Sequence, residues 1–344
     1  MTRVAINGFG RIGRMFLRLV YGLDNYTTYA RDNIEIVAIN DLGNLDNLVY
    51  LLKYDSVYGK FDQDVKVEAD NLIIGNKCIK FFQEKDPTKL PWKDLNIDVV
   101  IESTGFFESF EKAKVHLDSG AKRVVLSAPA KDEDKEGFSR TVLMGLNESD
   151  LKTCLISSNG SCTTNSAHPV LEILNSSIGI QKACLTTIHS YTATQRLVDS
   201  PDNGDYRRGR AGAQNIVPST TGAAIAVTKV VKELKGLFDG IAVRVPTVCG
   251  SVSDITFVSK KQTTKEEINS ILKSAEVDPR WHNILKTTTD PVVSSDIVGE
   301  PYTSIVDLNF TKVVGGDLVK VLVWYDNEFG YTNSLIGHVI AVSL

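Results

Sequence analysis

A chain of 344 residues, 42% hydrophobic and 23% charged with 25 Gly and 10 Pro, reads as a soluble globular protein of about two domains and excludes a disordered or fibrous one. The formal net charge of −4 and the dispersed basic residues argue against nucleic acid or an acidic membrane surface as the main partner. The five cysteines, Cys78, Cys154, Cys162, Cys184 and Cys249, are odd in number and show no CxxC spacing, so neither a disulfide framework nor a metal site is expected.

Free thiols suit a reducing cytosol, and the expected location is cytoplasmic. The chain enters a strand-like run at once with Val4–Ile6, and Arg11, Arg14 and Arg18 interrupt any apolar stretch there, so neither a signal peptide nor a membrane span is expected. Arg11–Tyr21 follows with Ile12, Phe16, Leu19 and Val20 at helical spacing. Asp24–Asn33 is polar and turn-like and reads as a surface insertion. The run Ile34–Ile39 is a second strand, Asn47–Lys53 a helix, Ile97–Ile101 a strand, Phe110–Ser119 a helix and Arg123–Ser127 a strand. This alternation predicts a parallel sheet with helices on both faces, an α/β Rossmann-type domain.

The second half differs. Beyond Leu155–Ser157 and a helix near Asn165–Ser176, long β-rich runs dominate: Ala183–Ile188, Gly240–Val245, Ser253–Val258, Ile305–Leu308 and Val319–Tyr325. With helices near Gly222–Leu234 and Lys265–Ala275, they predict an α+β domain with a mixed or antiparallel sheet. The turn-rich stretch Thr192–Asn215 reads as a functional loop, because irregular loops longer than about 12–15 residues are uncommon in compact domains.

Three constellations carry chemistry. The first is Gly8-Phe9-Gly10-Arg11-Ile12-Gly13, whose glycines let the backbone turn tightly and approach a pyrophosphate at a helix N-terminus. GxGxxG alone is a weak signal, but here it follows a strand, opens a helix and is succeeded by a strand ending in Asp41, an acceptor for ribose hydroxyls. Asp41 lies 28 residues beyond Gly13, against a usual interval of about 20, and the Asp24–Asn33 insertion accounts for the excess.

The second runs from Ser157 to Asn165 and contains Cys162 among small hydroxyl residues at a loop-to-helix junction. The positive end of a helix dipole there lowers a thiol pKa from about 8.5 to roughly 3.5–7.5, which favours the thiolate. Cys78, Cys154 and Cys184 sit in or beside apolar runs and read as buried structural cysteines. Pro169 stands inside the helix that would begin at Cys162 and predicts a kink.

The third is Thr186–Thr192 around His189. A thiol nucleophile needs a base within hydrogen-bond reach, and His189 ends a β-rich run that would deliver it to a cleft. His116, near Lys112 and Lys114, reads as a solvated surface residue, and His282 and His338 have no polar motif around them. His168 follows the Cys162 loop closely, and spacing alone leaves it open. Downstream, Arg207, Arg208, Arg210 and Arg244 offer guanidinium groups, and Ser219–Gly222 opens a helix. Together these suit an anionic, phosphate-bearing substrate.

These residues resemble the phosphorylating glyceraldehyde-3-phosphate dehydrogenases, over nearly the whole chain. The resemblance rests on VAINGFGRIGR at Val4–Arg14, LLKYDSVYGKF at Leu51–Phe61, SCTTN at Ser161–Asn165 and HSYTATQ at His189–Gln195. It continues in RAGAQNIVPSTTGAA at Arg210–Ala224, RVPT at Arg244–Thr247 and WYDNEFGYTN at Trp324–Asn333. It implies a glycolytic, NAD-dependent oxidation of glyceraldehyde 3-phosphate, with inorganic phosphate as the second substrate and a cysteine thioester as intermediate. It implies Cys162 as nucleophile and His189 as base, with Thr192 and Arg244 on the substrate's own phosphate. Ser161, Thr163, Thr221, Gly222 and Arg208 would hold the attacking phosphate, with Arg210 a candidate to assist. Gly8, Gly10, Arg11, Ile12, Gly13, Asp41, Lys85, Ser127 and Asn327 would bind NAD. The implied domains are 1–161 with 328–344 for NAD and 162–327 for catalysis. The implied assembly is a homotetramer in which the Thr192–Asn215 loop reaches a neighbour's cofactor. A C-terminal helix at about Gly330–Leu344 would pack back on the nucleotide domain.

The sequence departs from the family at Gly160, Ser166, Lys85 and Val248-Cys249-Gly250, none of which removes a catalytic group. Erythrose-4-phosphate dehydrogenase shares the cysteine and histidine, but the residues after its histidine usually differ from HSYTATQRL. Aspartate-semialdehyde dehydrogenase lacks the HSYTATQ and WYDNE combination. A binding or adhesion role with vestigial catalysis is disfavoured by the full set of reactive residues. Asp41, followed by Leu42-Gly43-Asn44 rather than a cation, favours NAD over NADP; Pro201 supports this and Ser200 weakens it.

Overall fold

The computed structural model describes residues 1–22 and 27–343, and the chain falls into two units, Met1–Gly160 with Thr332–Leu344 and Ser161–Tyr331. In the first unit, β-branched runs form β1 (Thr2–Asn7) and β2 (Ile34–Asn40) around helices α1 (Arg11–Tyr21) and α2 (Thr27–Asn33). Helix α3 (Leu45–Lys53) follows, capped by the Asn44 side chain on Asn47 N–H. It leads into the short pair β3 (Tyr54–Asp55) and β4 (Gly59–Lys60), and then β5 (Val65–Glu68), β6 (Asn71–Ile74) and β7 (Lys77–Phe82). Strand β8 (Val99–Glu102) precedes α4 (Phe110–Ala113) and α5 (Val115–Asp118), and β9 (Arg123–Leu126), β10 (Ser139–Thr141) and β11 (Ile156–Ser158) complete the unit's strands.

The sheet order is β10-β11-β9-β8-β1-β2-β7-β6-β5, parallel throughout except for the antiparallel β7-β6-β5 edge. No element was expected over Val65–Phe82, although its apolar and charged residues partly alternate as those of half-buried strands do. The C-terminal ends of β1, β2 and β8 lie side by side, with Asn7 opposite Asn40 and Glu102. Of the turn-like stretch Asp24–Asn33, residues 24–26 lie outside those described, and the remainder is the helix α2 rather than a turn. The helix expected over Phe110–Ser119 is two short pieces meeting at Lys114.

The second unit opens with α6 (Cys162–Ser177), which carries Pro169 in its interior. Its strands are β12 (Ile180–Ser190), β13 (Val217–Thr220), β14 (Phe238–Val245), β15 (Ser251–Ser259), β16 (Leu285–Thr288), β17 (Ser304–Val314) and β18 (Leu318–Tyr325), with helices α7 (Ala223–Val230) and α8 (Lys265–Glu276) between them. Their order is β13-β14-β12-β15-β18-β17-β16, with β12–β14 and β16–β17 parallel and the remaining pairs antiparallel. This is the mixed sheet expected. Burial alternates strictly along β15, so one face is packed and the other partly open. Among the described residues no helix is long and apolar enough to cross a membrane, and no cluster of His, Cys, Asp or Glu could hold a metal ion.

Several side chains lie elsewhere than the sequence suggests. Cys78 and Cys184 are exposed, while Cys154 is buried as expected. Strand alternation explains Cys184, which points outward between inward-facing Ala183 and Leu185. His116 is not a solvated residue but fully buried.

His338 is also buried, in α9 (Phe329–Ala341). Its Nδ1–H donates to Asn159 Oδ1 at 3.1 Å and its Nε2 accepts from Ser157 Oγ at 2.7 Å, which ties α9 to the end of β11. Burial pushes the His338 pKa down to about 3. The folded state therefore favours the neutral ring, whereas an unfolded histidine takes up a proton near pH 6.5. Stability attributable to His338 should fall by about 1.4 kcal/mol per pH unit as pH drops below about 6.5. Urea unfolding of the wild type and His338→Gln over that range measures this; parallel pH dependences would show that His338 contributes no such term.

Candidate active site and dinucleotide cleft

In the first unit the glycine turn between β1 and α1 shapes a cleft of about 380 Å³ lined by Gly8, Gly10, Asp41, Lys85, Thr104 and Phe106 among others. Gly8 has φ +99°, and a Cβ there would lie 2.7 Å from the Ser103 carbonyl carbon. A Cβ on Gly13 would lie 2.3 Å from Gly8 O, so α1 packs on the turn only with glycine at both places. Gly10, by contrast, faces open space and caps α1 with no side chain, and the first turn of α1 carries no acid. A helix start so arranged suits a pyrophosphate. Asp41 is held by Phe9 N–H on Oδ2 at 2.6 Å and Gly43 N–H on Oδ1 at 2.8 Å, which leaves further acceptor capacity for ribose hydroxyls. These residues fit a dinucleotide.

Of the other residues assigned to the dinucleotide, Arg11 is ion-paired with Asp55, and Ile12 occupies the first turn of α1. Ser127 follows β9 with its N–H on Glu102 O at 3.0 Å, and neither it nor Arg11, Ile12 or Gly13 lines the cleft. Asn327 belongs to the second unit, where its Oδ1 accepts from Ser251 Oγ at 2.9 Å and Gly250 N–H at 3.2 Å. Cys249 is buried beside it, with Sγ 3.2 Å from Asp326 Oδ1.

In the second unit Ser161 caps α6. Its Oγ accepts Thr164 N–H at 3.1 Å while Thr164 Oγ1 accepts Ser161 N–H at 3.2 Å, a capping box that makes Cys162 the first helical residue. The preceding Gly160 has φ +66°, a left-handed backbone that favours glycine. His189, near the end of β12, places Nε2 3.3 Å from Cys162 Sγ. Parallel pairing of β12 with β14 sets Arg244 opposite His189. Arg244 Nη1 lies 2.5 Å from His189 Nδ1 and donates to Ser190 O at 3.2 Å, while Ser190 O itself lies 2.7 Å from Nδ1.

The two contacts on Nδ1 compete, since a neutral imidazole nitrogen either donates or accepts. Ser190 O favours Nδ1–H and hence an acceptor Nε2 facing Sγ; Arg244, a donor, favours the reverse. Burial first, and Arg244 second, lower the His189 pKa to about 3, so the ring is uncharged at neutral pH. Burial is also the largest influence on Cys162 and pushes its thiol up, with Arg244 and Thr163 N–H opposing it. The lowering expected from the helix start thus meets a larger desolvation cost in the chain alone.

Thr163 Oγ1 and Thr187 Oγ1 meet Tyr325 OH at 3.0 and 2.7 Å, and the Tyr325 ring lies edge-on to His189. Tyr325 was missed as a site residue because it reads as strand core; its place in WYDNEFGYTN is the signal that marks it. Thr192 Oγ1 bonds Thr194, Arg208 Nη2 reaches Ser219 Oγ at 3.4 Å, and Thr221 Oγ1 accepts Ala223 N–H at the start of α7, where Gly222 is the cap. Burial is the largest influence on Arg244 and lowers its pKa, with Arg208 a small influence in the same direction. Arg210 is exposed and paired with Asp199 at 2.8 Å. His168 is buried in α6 with Nδ1 3.2 Å from Thr164 O, and His282 is exposed.

Residues 2–110 match the family model described as the NAD binding domain of glyceraldehyde 3-phosphate dehydrogenase, and residues 161–327 match its C-terminal domain. A glyceraldehyde-3-phosphate dehydrogenase of Thermotoga maritima is 51% identical over 337 residues, covering 98% of this chain and 97% of the relative. Those of Mycolicibacterium smegmatis and Clostridium pasteurianum are 47% and 45% identical, over 99% and 98% of this chain and 98% and 97% of their own lengths.

Proposed function

The chain belongs to the glyceraldehyde-3-phosphate dehydrogenase family, and we propose that Cys162 and His189 carry its oxidative phosphorylation of D-glyceraldehyde 3-phosphate to 1,3-bisphosphoglycerate. The observation that carries this reading is the 3.3 Å approach of Cys162 Sγ to His189 Nε2 at a capped helix start. Cys162 Sγ adds to the aldehyde carbon, and His189 Nε2 takes the proton of the resulting hydroxyl as the C–H electron pair departs. NAD, when bound, supplies the hydride acceptor. An oxygen of inorganic phosphate then attacks the thioester carbon, the C–S bond breaks and the thiolate is restored.

Arg244 with Thr192 holds the substrate's own phosphate, and Ser161, Thr163, Thr221, Gly222 and Arg208 receive the attacking one, with Arg210 alongside. Arg208, 3.4 Å from Ser219 Oγ, together with the start of α7 at Gly222, supports anion binding there. Gly8, Gly10, Arg11, Ile12, Gly13, Asp41, Lys85, Ser127 and Asn327 serve the dinucleotide. The NAD-binding domain comprises 1–161 with 328–344 and the catalytic domain 162–327. A homotetramer is supported by the open face of the second sheet, where Cys184, Ile225, Leu237 and Leu318 line an exposed hollow of about 790 Å³. A cytoplasmic location is supported by five free thiols.

Omitting phosphate tests the reading. NADH should form in a burst of about one per site and then stall, the mark of an accumulated acyl-enzyme. Steady NADH formation at the full rate without phosphate or arsenate would make water the acceptor and overturn it. In the same assay NAD should exceed NADP in kcat/KM by at least about fivefold, because a 2′-phosphate beside Asp41 meets a repulsion of about 1–4 kcal/mol. Equal values would mean that Asp41 does not read the ribose.

A further inference from the structure

Beneath the dinucleotide cleft lies a buried polar network that the reaction does not use. Glu102, at the end of β8, and His116, in α5, are 4% and 0% exposed. Trp92 Nε1–H donates to His116 Nδ1 at 3.2 Å, which fixes the tautomer and makes Nε2–H the donor to Glu102 Oε2 at 2.9 Å. Asn7 Nδ2 donates to the same oxygen at 2.6 Å. Glu102 Oε1 accepts from Thr104 N–H at 2.8 Å and Thr104 Oγ1 at 2.5 Å. Four donors on two oxygens match the acceptor capacity of a carboxylate, and an amide in its place would set a donor against donors.

The network ends on the wall of the cleft. Asn7 Oδ1 accepts from Asn40 Nδ2 at 2.7 Å, and Asn40 exchanges two bonds with the Glu84 backbone, at 2.9 and 3.0 Å. Thr104 Oγ1 accepts Phe106 N–H at 3.1 Å, and the Phe107 ring lies edge-on to His116, 6.0 Å between centroids. Asn7, Asn40, Glu84, Thr104, Phe106 and Phe107 all line the cleft, and each is joined to Glu102 or His116 directly or through one or two intervening groups. The glycine turn is held in the same way, by Gly8 N–H on Asn40 O and Ser103 Oγ on Gly8 O.

We propose that Glu102 and His116 are positioning residues for the dinucleotide: a buried acid–imidazole pair that fixes the cleft wall without touching the ligand. The proposal rests on the reading that this cleft takes the adenosine half of NAD. Leaving buried donors unmatched should loosen the wall and weaken binding of NAD and of ADP-ribose by about tenfold to a hundredfold.

Binding of NAD and ADP-ribose by calorimetry, with steady-state kinetics, to wild type, Glu102→Gln, His116→Leu and His116→Gln tests it. Glu102→Gln and His116→Leu should raise Kd for both ligands and KM for NAD, with kcat at saturating NAD and KM for the aldehyde unchanged. His116→Gln, which retains a donor toward Glu102, should recover most of the loss. Should Glu102→Gln fail to fold, the two His116 variants decide. Variants that melt earlier but bind NAD as tightly as wild type would overturn the proposal. Wild-type protein that fails to bind ADP-ribose would instead overturn the reading of the cleft.

Discussion

Replacing Cys162 with alanine is expected to lower kcat by at least about 10⁴-fold, because the acyl intermediate is assigned to its Sγ. The substitution removes Sγ and leaves the capping box of Ser161 and Thr164 intact, so α6 keeps its start and the fold should survive. Binding of NAD should be unchanged. Iodoacetamide gives the independent check: loss of activity should follow modification of Cys162 alone, located by peptide mass. Cys78 is exposed and will also react, but without consequence for turnover, whereas Cys184, on the face proposed to be covered in the tetramer, should react slowly. Arg244 is the main influence opposing burial at Sγ, so Arg244→Leu should shift the pH midpoint of Cys162 alkylation upward. Loss of activity in Cys249→Ser with Cys162 intact would end the assignment, since Cys249 is the other cysteine in polar company.

His189→Asn should lower kcat by about 10²–10⁴-fold, the usual contribution of a positioned general base. The loss should fall on the first turnover, where the hydroxyl proton leaves, and rapid-mixing measurement of NADH formation isolates that step. The KM for the aldehyde should move little, because His189 is not among the groups assigned to either phosphate. A first turnover at the wild-type rate would exclude His189 as base.

The Cys162–His189 contact was legible only in part: capping residues marked Cys162 and the end of a β-rich run marked His189, but spacing left His168 open and the roles of both came from the family resemblance. Arg244 was legible as a charge but not as a neighbour of His189, since 55 residues separate them and only the β12–β14 register brings them together. The parallel sheet followed from strand–helix alternation, whereas the β5–β6–β7 meander, which interrupts that alternation, was not anticipated. His116 was misread because Lys112 and Lys114 precede it. The helix breaks at Lys114, and the second piece turns the imidazole into the core. Cys184 was misread because the apolar run around it conceals a strand whose alternate residues face out. Glu102 gave no signal at all, as a single acid after a β-rich run says nothing of the four donors that will meet it.

The bonds from His338 to Ser157 and Asn159 carry a consequence for the order of events in synthesis. Strand β11 leaves the ribosome early, but the helix that completes its polar contacts emerges only after the whole of Ser161–Tyr331. The second unit is contiguous in sequence and has all its strands in hand before α9 appears, so it can close while the first is still missing its last piece. Until then Ser157 and Asn159 await their imidazole, and closing the gap means bringing together chain ends about 170 residues apart. Loop entropy grows only with the logarithm of that length, so the long insertion is tolerated. What it imposes is sequence in time: the unit begun first is finished last.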